Sequence, residues 1–230
     1  MAEHTVRAFD ADIGELRGLI SQMGGLAEDA IGRAMLSLQR GDLDLAAEVR
    51  DADKAIDALQ AEVEKLAVRI IALRAPMAND LREVVAALKI ASVLERIGDY
   101  AKNIAKRVPL IDGEGGVGGD RIEPISILPA MGRMASEMVH DALDAFAARD
   151  AESAVRVRER DTALDDFYDS IFRTLVTFMV ENPRTISQVA HLLFVAKNLE
   201  RIGDHAGNVA EMVYFAAKGA KIADRLPDRS

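Results

Sequence analysis

The chain has 230 residues, half of them hydrophobic and only 4% aromatic, with a formal net charge of −9 and no cysteine. The acidic balance argues against a nucleic-acid-binding protein, which needs a basic surface, and the lack of cysteine excludes disulfides, zinc fingers, thiolate catalysis and iron–sulfur clusters. No apolar run approaches the roughly 18 residues of a membrane span, and the N-terminus lacks a signal-peptide pattern. We therefore expect a cytoplasmic protein that reaches a membrane only through partners.

Three long helices are predicted in the first part of the chain. Apolar residues recur there at alternating spacings of three and four, which is typical of helices packed side by side. A Gly-Asp turn separates the first helix from the second, with Asp42 as the candidate N-cap, and Pro76 separates the second from the third. The apolar seams run from Val6 to Met23, from Ile56 to Leu73 and from Ile90 to Val108.

A glycine-rich segment at 111–122 follows the third helix and is interpreted as a linker. Its Gly113, Gly115 and Gly118 match the spacing of a dinucleotide-binding loop. That loop requires a preceding strand and an adjoining helix N-terminus, and neither is predicted here. The segment therefore divides a first domain at 1–110 from a second domain at 123–220.

Three more helices are predicted after the linker. The first runs from Met131 to Ala148, the second carries a seam from Leu164 to Phe178, and the third follows Pro183 with a seam from Val195 to Val213. The last residues, 221–230, read as a polar tail.

The two halves repeat each other. The stretch LERIGDYAKNIA at 94–105 returns as LERIGDHAGNVA at 199–210. Residues 42, 50, 53 and 57 match residues 150, 158, 161 and 165, an offset of 108. We therefore predict an all-α fold built from two tandem three-helix bundles, with six long helices and an internal pseudo-twofold axis.

Each half carries two pairs of carboxylates spaced four residues apart on a helix. Such pairs lie on one helix face and repel each other by a few tenths of a kcal/mol. The heptad pattern places the pairs of the third and sixth helices opposite their apolar seams, and those of the second and fifth beside theirs. If neighbouring helices pack antiparallel, four carboxylates meet in each half, a ligand set that suits Mg²⁺, Mn²⁺ or Fe. The pairs are Asp53/Asp57, Glu95/Asp99, Asp161/Asp165 and Glu200/Asp204.

Other interpretations of these acids stay open at this point. Acidic residues on an outer helix face are most often a solvated surface. A buried di-iron centre needs a His three residues after a helical Glu, and neither Glu95 nor Glu200 has one. Gly98 and Gly203 lie in mid-helix beside the acids, where they allow a close approach by ligands or simply by another helix.

The doubled ERIGD motif, with D-x-x-x-D on the preceding helix, resembles the PhoU family of phosphate-uptake regulators over residues 5–217. The resemblance implies a cytoplasmic, generally dimeric protein that is not an enzyme. It implies partners in the ATPase subunit of a phosphate ABC transporter and in a phosphate-sensor histidine kinase, which the protein represses when phosphate is plentiful. It also implies multinuclear metal clusters, of Mg, Mn, Fe or Zn, held by the eight acids named above.

The leading hypothesis is therefore a signalling adaptor with metal-binding acidic faces. The alternatives are a metal-dependent hydrolase of phosphate compounds and a metal-binding scaffold bundle. No GxSxG, P-loop or HExxH motif supports a particular catalytic chemistry.

Overall fold

The computed structural model describes residues 2–112 and 123–222, and side chains from residue 9 onward. Six long helices and a short one, α4, make up the fold, with 3₁₀ turns before α5 and α7, and the described residues contain no strand. The predicted all-α fold of two three-helix repeats is confirmed. The helices are α1 (Ala2–Arg40), α2 (Leu43–Arg74), α3 (Asn79–Ala105), α4 (Val108–Asp112), α5 (Leu128–Ala148), α6 (Ala151–Glu181) and α7 (Ile186–Lys218).

The interdomain linker differs from its prediction at its start. Ile111 and Asp112, assigned to the linker, form the end of α4 instead. The glycine-rich part at 113–122 and the tail at 223–230 lie outside the described residues. The two domain boundaries stay predictions.

Local signals set the helix ends in the same way in both halves. The Asp42 carboxylate accepts a hydrogen bond from the Leu45 amide at 2.9 Å, as predicted for an N-cap. In the second half, the Asp150 carboxylate accepts one from the Glu152 amide at 2.9 Å. Helices α2 and α6 end just before Pro76 and Pro183, which cannot continue a helical hydrogen-bond ladder.

The buried residues of both halves form one continuous apolar core. Helices α1, α2 and α3 pack against one another, as do α5, α6 and α7, and the two bundles meet where α1 contacts α5 and α3 contacts α7. Leu73, assigned to the α2 seam, is instead 71% exposed, because it lies in the last turn beyond the buried Ile70. Of the helices described, none combines the length and the apolar character that crossing a membrane requires.

The contact between α1 and α5 is reciprocal and reveals the internal pseudo-twofold axis. Gly24 faces Leu143 so closely that a methyl group on Gly24 would overlap the Leu143 side chain. A methyl group on Gly132 would lie 2.9 Å from Met35 Cγ. Gly132 and Leu143 stand 108 positions after Gly24 and Met35, the offset already found for the N-caps. Each half therefore offers a glycine to the large side chain of the other.

The contact between α3 and α7 lies on the same axis. Tyr100 and His205 occupy equivalent positions of the repeated motif, and their rings stack with centroids 5.3 Å apart. The Tyr100 hydroxyl lies 3.2 Å from His205 Nε2. Arg82 in the first turn of α3 packs against Gly219 at the end of α7, so the two helices run antiparallel. The two ERIGD motifs are thus neighbours in space.

The adjacent glycines Gly24 and Gly25 in α1 provide a test of this packing. Both changes to Ala gain about 1 kcal/mol of helix propensity, but only the methyl at position 24 meets another atom, since nothing lies within 4 Å of the one at position 25. Overpacking typically costs about 1–3 kcal/mol. We expect Gly25→Ala to raise the free energy of unfolding and Gly24→Ala to lower it, as measured by urea denaturation. Equal stabilisation by both changes would contradict the close α1–α5 approach.

Candidate metal centres

A glycine on α3 allows α2 to bring a carboxylate into the helix interface. A methyl group on Gly98 would lie 2.7 Å from Ile56 Cδ1 and 3.4 Å from Asp53 Oδ1, so only glycine permits this separation. Asp53 is consequently buried, with 7% of its surface exposed. A buried carboxylate is costly unless a cation or hydrogen-bond donors neutralise it.

In the first half, that neutralising cation comes from the chain itself. The Lys102 ammonium contacts Asp53 Oδ2 and also lies 2.6 Å from Asp99 Oδ1, so it bridges α2 and α3. Burial acts to lower the pKa of Lys102, but hydrogen bonds to Asp53 and Asp99 outweigh it and raise the pKa above its usual range. Lys102 is therefore a permanent positive charge between two of the predicted ligands.

The other two acids of the first half lie within electrostatic range of this bridge. Burial raises the pKa of the Glu95 carboxyl, and the negative charges of Asp99, Asp57 and Asp53 raise it further. Asp57 itself is exposed on α2. The four acids therefore form one negatively charged group, as the antiparallel packing of α2 and α3 predicts.

The heptad assignment of Glu95 and Asp99 needs a correction. It placed both opposite the apolar seam of α3, on a solvent-facing side, but both are only partly exposed. The reason is that α3 packs against three helices, α1, α2 and α7, so little of its surface is left to solvent. Asp53, predicted to flank the seam of α2, is buried for the same reason.

In the second half, three carboxylates converge without a cation between them. Asp161 on α6, 8% exposed, takes the place of Asp53. Carboxylate oxygens of Asp161, Asp165 and Asp204 all lie within 4.8 Å of one another. In the described part of the chain, no other group of three His, Asp or Glu side chains meets this distance. Gly203 again admits the neighbouring helix, since a methyl group there would overlap Leu164.

Two cations approach this cluster from its flanks. Arg158 contacts Asp161 Oδ2 and reaches Glu211, and Lys197 Nζ lies 2.6 Å from Glu200 Oε1. Among the described residues, Asp161 Oδ1 and Glu200 Oε2 are buried and have no hydrogen-bond partner. Unsatisfied buried oxygens are rare in folded proteins and indicate a missing ion or water.

The crowding of the second cluster appears in its proton affinities. Burial raises the pKa of Asp204 to about 6, and the negative charges of Glu200, Asp161 and Asp165 contribute. Burial also raises the pKa of Asp165, with Asp161 and Glu200 adding to the effect. Each carboxylate thus destabilises the charged form of its neighbours, which a bound cation would reverse.

Both groups have the chemistry that hard cations prefer. Carboxylate oxygens from two helices are suitable ligands for Mg²⁺, Mn²⁺ or iron. In the second half, Asp161, Asp165 and Asp204 would be the ligands, with Glu200 beside them. In the first half, Asp53 and Asp99 already share an ammonium.

The sequence interpretation missed the cations of these groups. Lys102 stands where the second motif has Gly207, so the difference between the two halves is visible when the two stretches are aligned. Lys197 has no counterpart in the first half, where Ser92 takes its place. Arg158 was noticed only as one of the repeated positions.

The raised pKa of Asp204 predicts how the metal-free protein responds to pH. Because the folded-state pKa of about 6 exceeds the ordinary value of 3.8, this group's contribution is complete below pH 4 and is lost as the pH rises through 6. We expect Asp204→Asn to flatten that loss, measured by urea denaturation in chelator from pH 4.5 to 7.5. Asp166→Asn, which removes an exposed acid outside the cluster, should retain the parental slope; a parental slope in Asp204→Asn would contradict the crowding.

Comparison with known proteins identifies the family. The model of the PhoU domain matches residues 20–108 and 128–213, once in each half. Two relatives share the name "Phosphate-specific transport system accessory protein PhoU homolog". The one from Zymomonas mobilis is 53% identical, over 96% of this chain and 92% of its own length. The one from Caulobacter vibrioides is 43% identical, over 99% of this chain and 97% of its own length.

Two solved structures resemble the fold over nearly all of it. The crystal structure of PhoU from Pseudomonas aeruginosa superposes with a TM-score of 0.86 and 37% identity, covering 92% of this chain and 100% of that one. That of the phosphate transport system regulatory protein PhoU from Streptococcus pneumoniae gives a TM-score of 0.83 and 28% identity, covering 93% of this chain and 98% of that one. With its two matched domains and its full-length relatives, the chain belongs to the PhoU family.

Proposed function

We propose that this chain regulates phosphate transport as the accessory protein of a phosphate-specific transport system. The observation that carries the proposal is its similarity, over almost its full length, to relatives that bear this name. Both halves of the fold take part in the similarity, so the whole protein and not one module is the functional unit.

The finer part of the proposal is a non-enzymatic adaptor in the cytoplasm. Its partners are the ATPase subunit of the phosphate ABC transporter and a phosphate-sensor histidine kinase, and it holds the kinase off when phosphate is plentiful. The words "accessory" and "regulatory" in the names of its relatives support a role through other proteins. Membrane contact through these partners and assembly as a homodimer complete this proposal.

The acidic groups give the adaptor its metal sites. Asp161, Asp165 and Asp204 would hold a divalent or trivalent cation, which would supply the positive charge that the unpartnered oxygen of Asp161 lacks. Because these residues come from α6 and α7, the cation would fix the separation of the two helices. The metal is thus a structural element that sets the shape of the surface offered to partners.

A strain that lacks the protein tests the regulatory role. We expect the phosphate-starvation response to stay switched on in phosphate-rich medium, because the repression of the kinase is lost. A reporter for that response is the measurement, with the restored wild-type gene as control. Affinity capture from phosphate-rich cells should recover the transporter ATPase or the kinase. Normal repression in the deletion strain would count against the assignment, and turnover of a generic phosphoester would favour a hydrolase.

Thermal melts test the metal sites. A cation that binds only the folded state at a hundred times its Kd adds about 2.7 kcal/mol, or about 5–10 °C for a chain of this size. We expect millimolar Mn²⁺ to raise the Tm of the chelator-treated parent by this amount. The double variant Asp99→Asn/Asp204→Asn should respond much less, since it loses one charge from each group.

The matched control is Asp51→Asn/Asp166→Asn, which removes two exposed carboxylates from α2 and α6 outside both groups. It should keep the parental response to Mn²⁺. If the parent shows no shift, or the first double variant an equal one, the acids are only a solvated surface.

A further inference from the structure

We propose that Lys102 is a built-in counter-ion that closes the acidic group of the first half to metal, so that the chain binds metal only through the group of the second half. The inference rests on the metal sites of the proposed function and divides them. It makes the two repeats chemically different although their acids are equivalent.

The first observation is the position of the Lys102 ammonium. It contacts one carboxylate from each of the two helices, Asp53 on α2 and Asp99 on α3. A metal bridging the two helices in the first half would need these same oxygens. The Lys102 side chain is 24% exposed, so its charge is largely withdrawn from solvent and held at the position of the bridge.

The second observation is the equivalent position in the second half, Gly207, which offers no side chain at all. The space beside Gly207 is taken by the stem of Arg158, whose Cδ lies 3.5 Å from where a methyl group would be. Arg158 contacts only Asp161 within the cluster, and Lys197 contacts only Glu200. Neither cation joins Asp161 to Asp204.

The two halves differ in their unsatisfied oxygens in the way this substitution predicts. Among the described residues, the buried carboxylate oxygens without a partner belong to Asp161 and Glu200 of the second half. In the first half, the corresponding buried acid, Asp53, is paired with Lys102. A buried carboxylate without its own counter-ion creates a demand for an external cation, and only the second half has that demand.

Competition explains why the tethered ammonium excludes a metal. Lys102 is attached to the helix that carries Asp99, so it reaches the site without the loss of translational freedom that a free ion suffers. A metal would have to displace it and leave the ammonium without its two partners. The unprotected site of the second half presents no such competitor.

Single substitutions in each half separate the two sites. The probe is Mn²⁺ alone, and the number of ions retained per chain is measured by equilibrium dialysis and metal analysis of the full-length protein. We expect Asp204→Asn to lose at least nine-tenths of the parental Mn²⁺, and Asp99→Asn to keep it within error. Equal losses from the two variants would overturn the inference while leaving the metal sites of the proposed function intact.

Exchange of the two aligned residues gives the converse test. Lys102→Ala should about double the Mn²⁺ retained, because it opens the first group, and Gly207→Lys should abolish retention, because it closes the second. Lys106→Ala, which removes an exposed lysine one turn further along α3, is the charge-matched control and should change nothing. A Lys102→Ala variant that retains only the parental amount would overturn the inference.

Two further readings keep the outcome unambiguous. Circular dichroism in chelator establishes that each variant is folded before its Mn²⁺ is counted. Combining Lys102→Ala with Asp204→Asn should leave about the parental amount, now held by the first half alone. A parent that retains no Mn²⁺ would remove the proposed metal sites together with this inference, whereas a parent with two equal sites removes the inference only.

Discussion

Each half of the molecule buries one carboxylate between two helices, and the surrounding arrangement answers the need to neutralise it. Asp53 and Asp161 are buried because Gly98 and Gly203 let the neighbouring helix come close. A buried charge of this kind is tolerated only with a partner. In the first half the partner is Lys102, and in the second half Arg158 satisfies one oxygen and leaves the other without one.

The fold was predictable because its signals are local and occur twice. N-capping aspartates, helix-ending prolines and sustained apolar seams agree with one another in both halves, which is the consistency expected of a well-specified fold. The burial of the acids was not predictable from a heptad pattern, because such a pattern describes one seam per helix. Helix α3 has three neighbours, and α7 is one of them only because the two repeats pack together. The role of Lys102 depends on this tertiary context as well, although its mismatch with Gly207 is plain in the sequence.

The second acidic group shows a conflict between stability and binding. A chain selected only for stability would place a lysine or an amide among Asp161, Asp165 and Asp204, as the first half does with Lys102. The crowded arrangement raises the pKa of Asp204 to about 6, a sign that the charged form is unfavourable in the protein alone. Local departures of this kind from the most stable arrangement are typical of functional sites. The helices around the group are held by the core, which allows the strain to persist.

The reciprocal contact of Gly24 with Leu143 and of Gly132 with Met35 has an evolutionary consequence. In a homodimer with a twofold axis, every substitution appears on both sides of the interface at once, so a change that suits one side is imposed on the other. Covalent fusion of the two copies removes that restriction. Met35 and Leu143 have already diverged across the axis while the glycines opposite them have not. The duplicated chain can therefore keep its symmetric framework and still give each half a different chemistry, an option closed to its undivided ancestor.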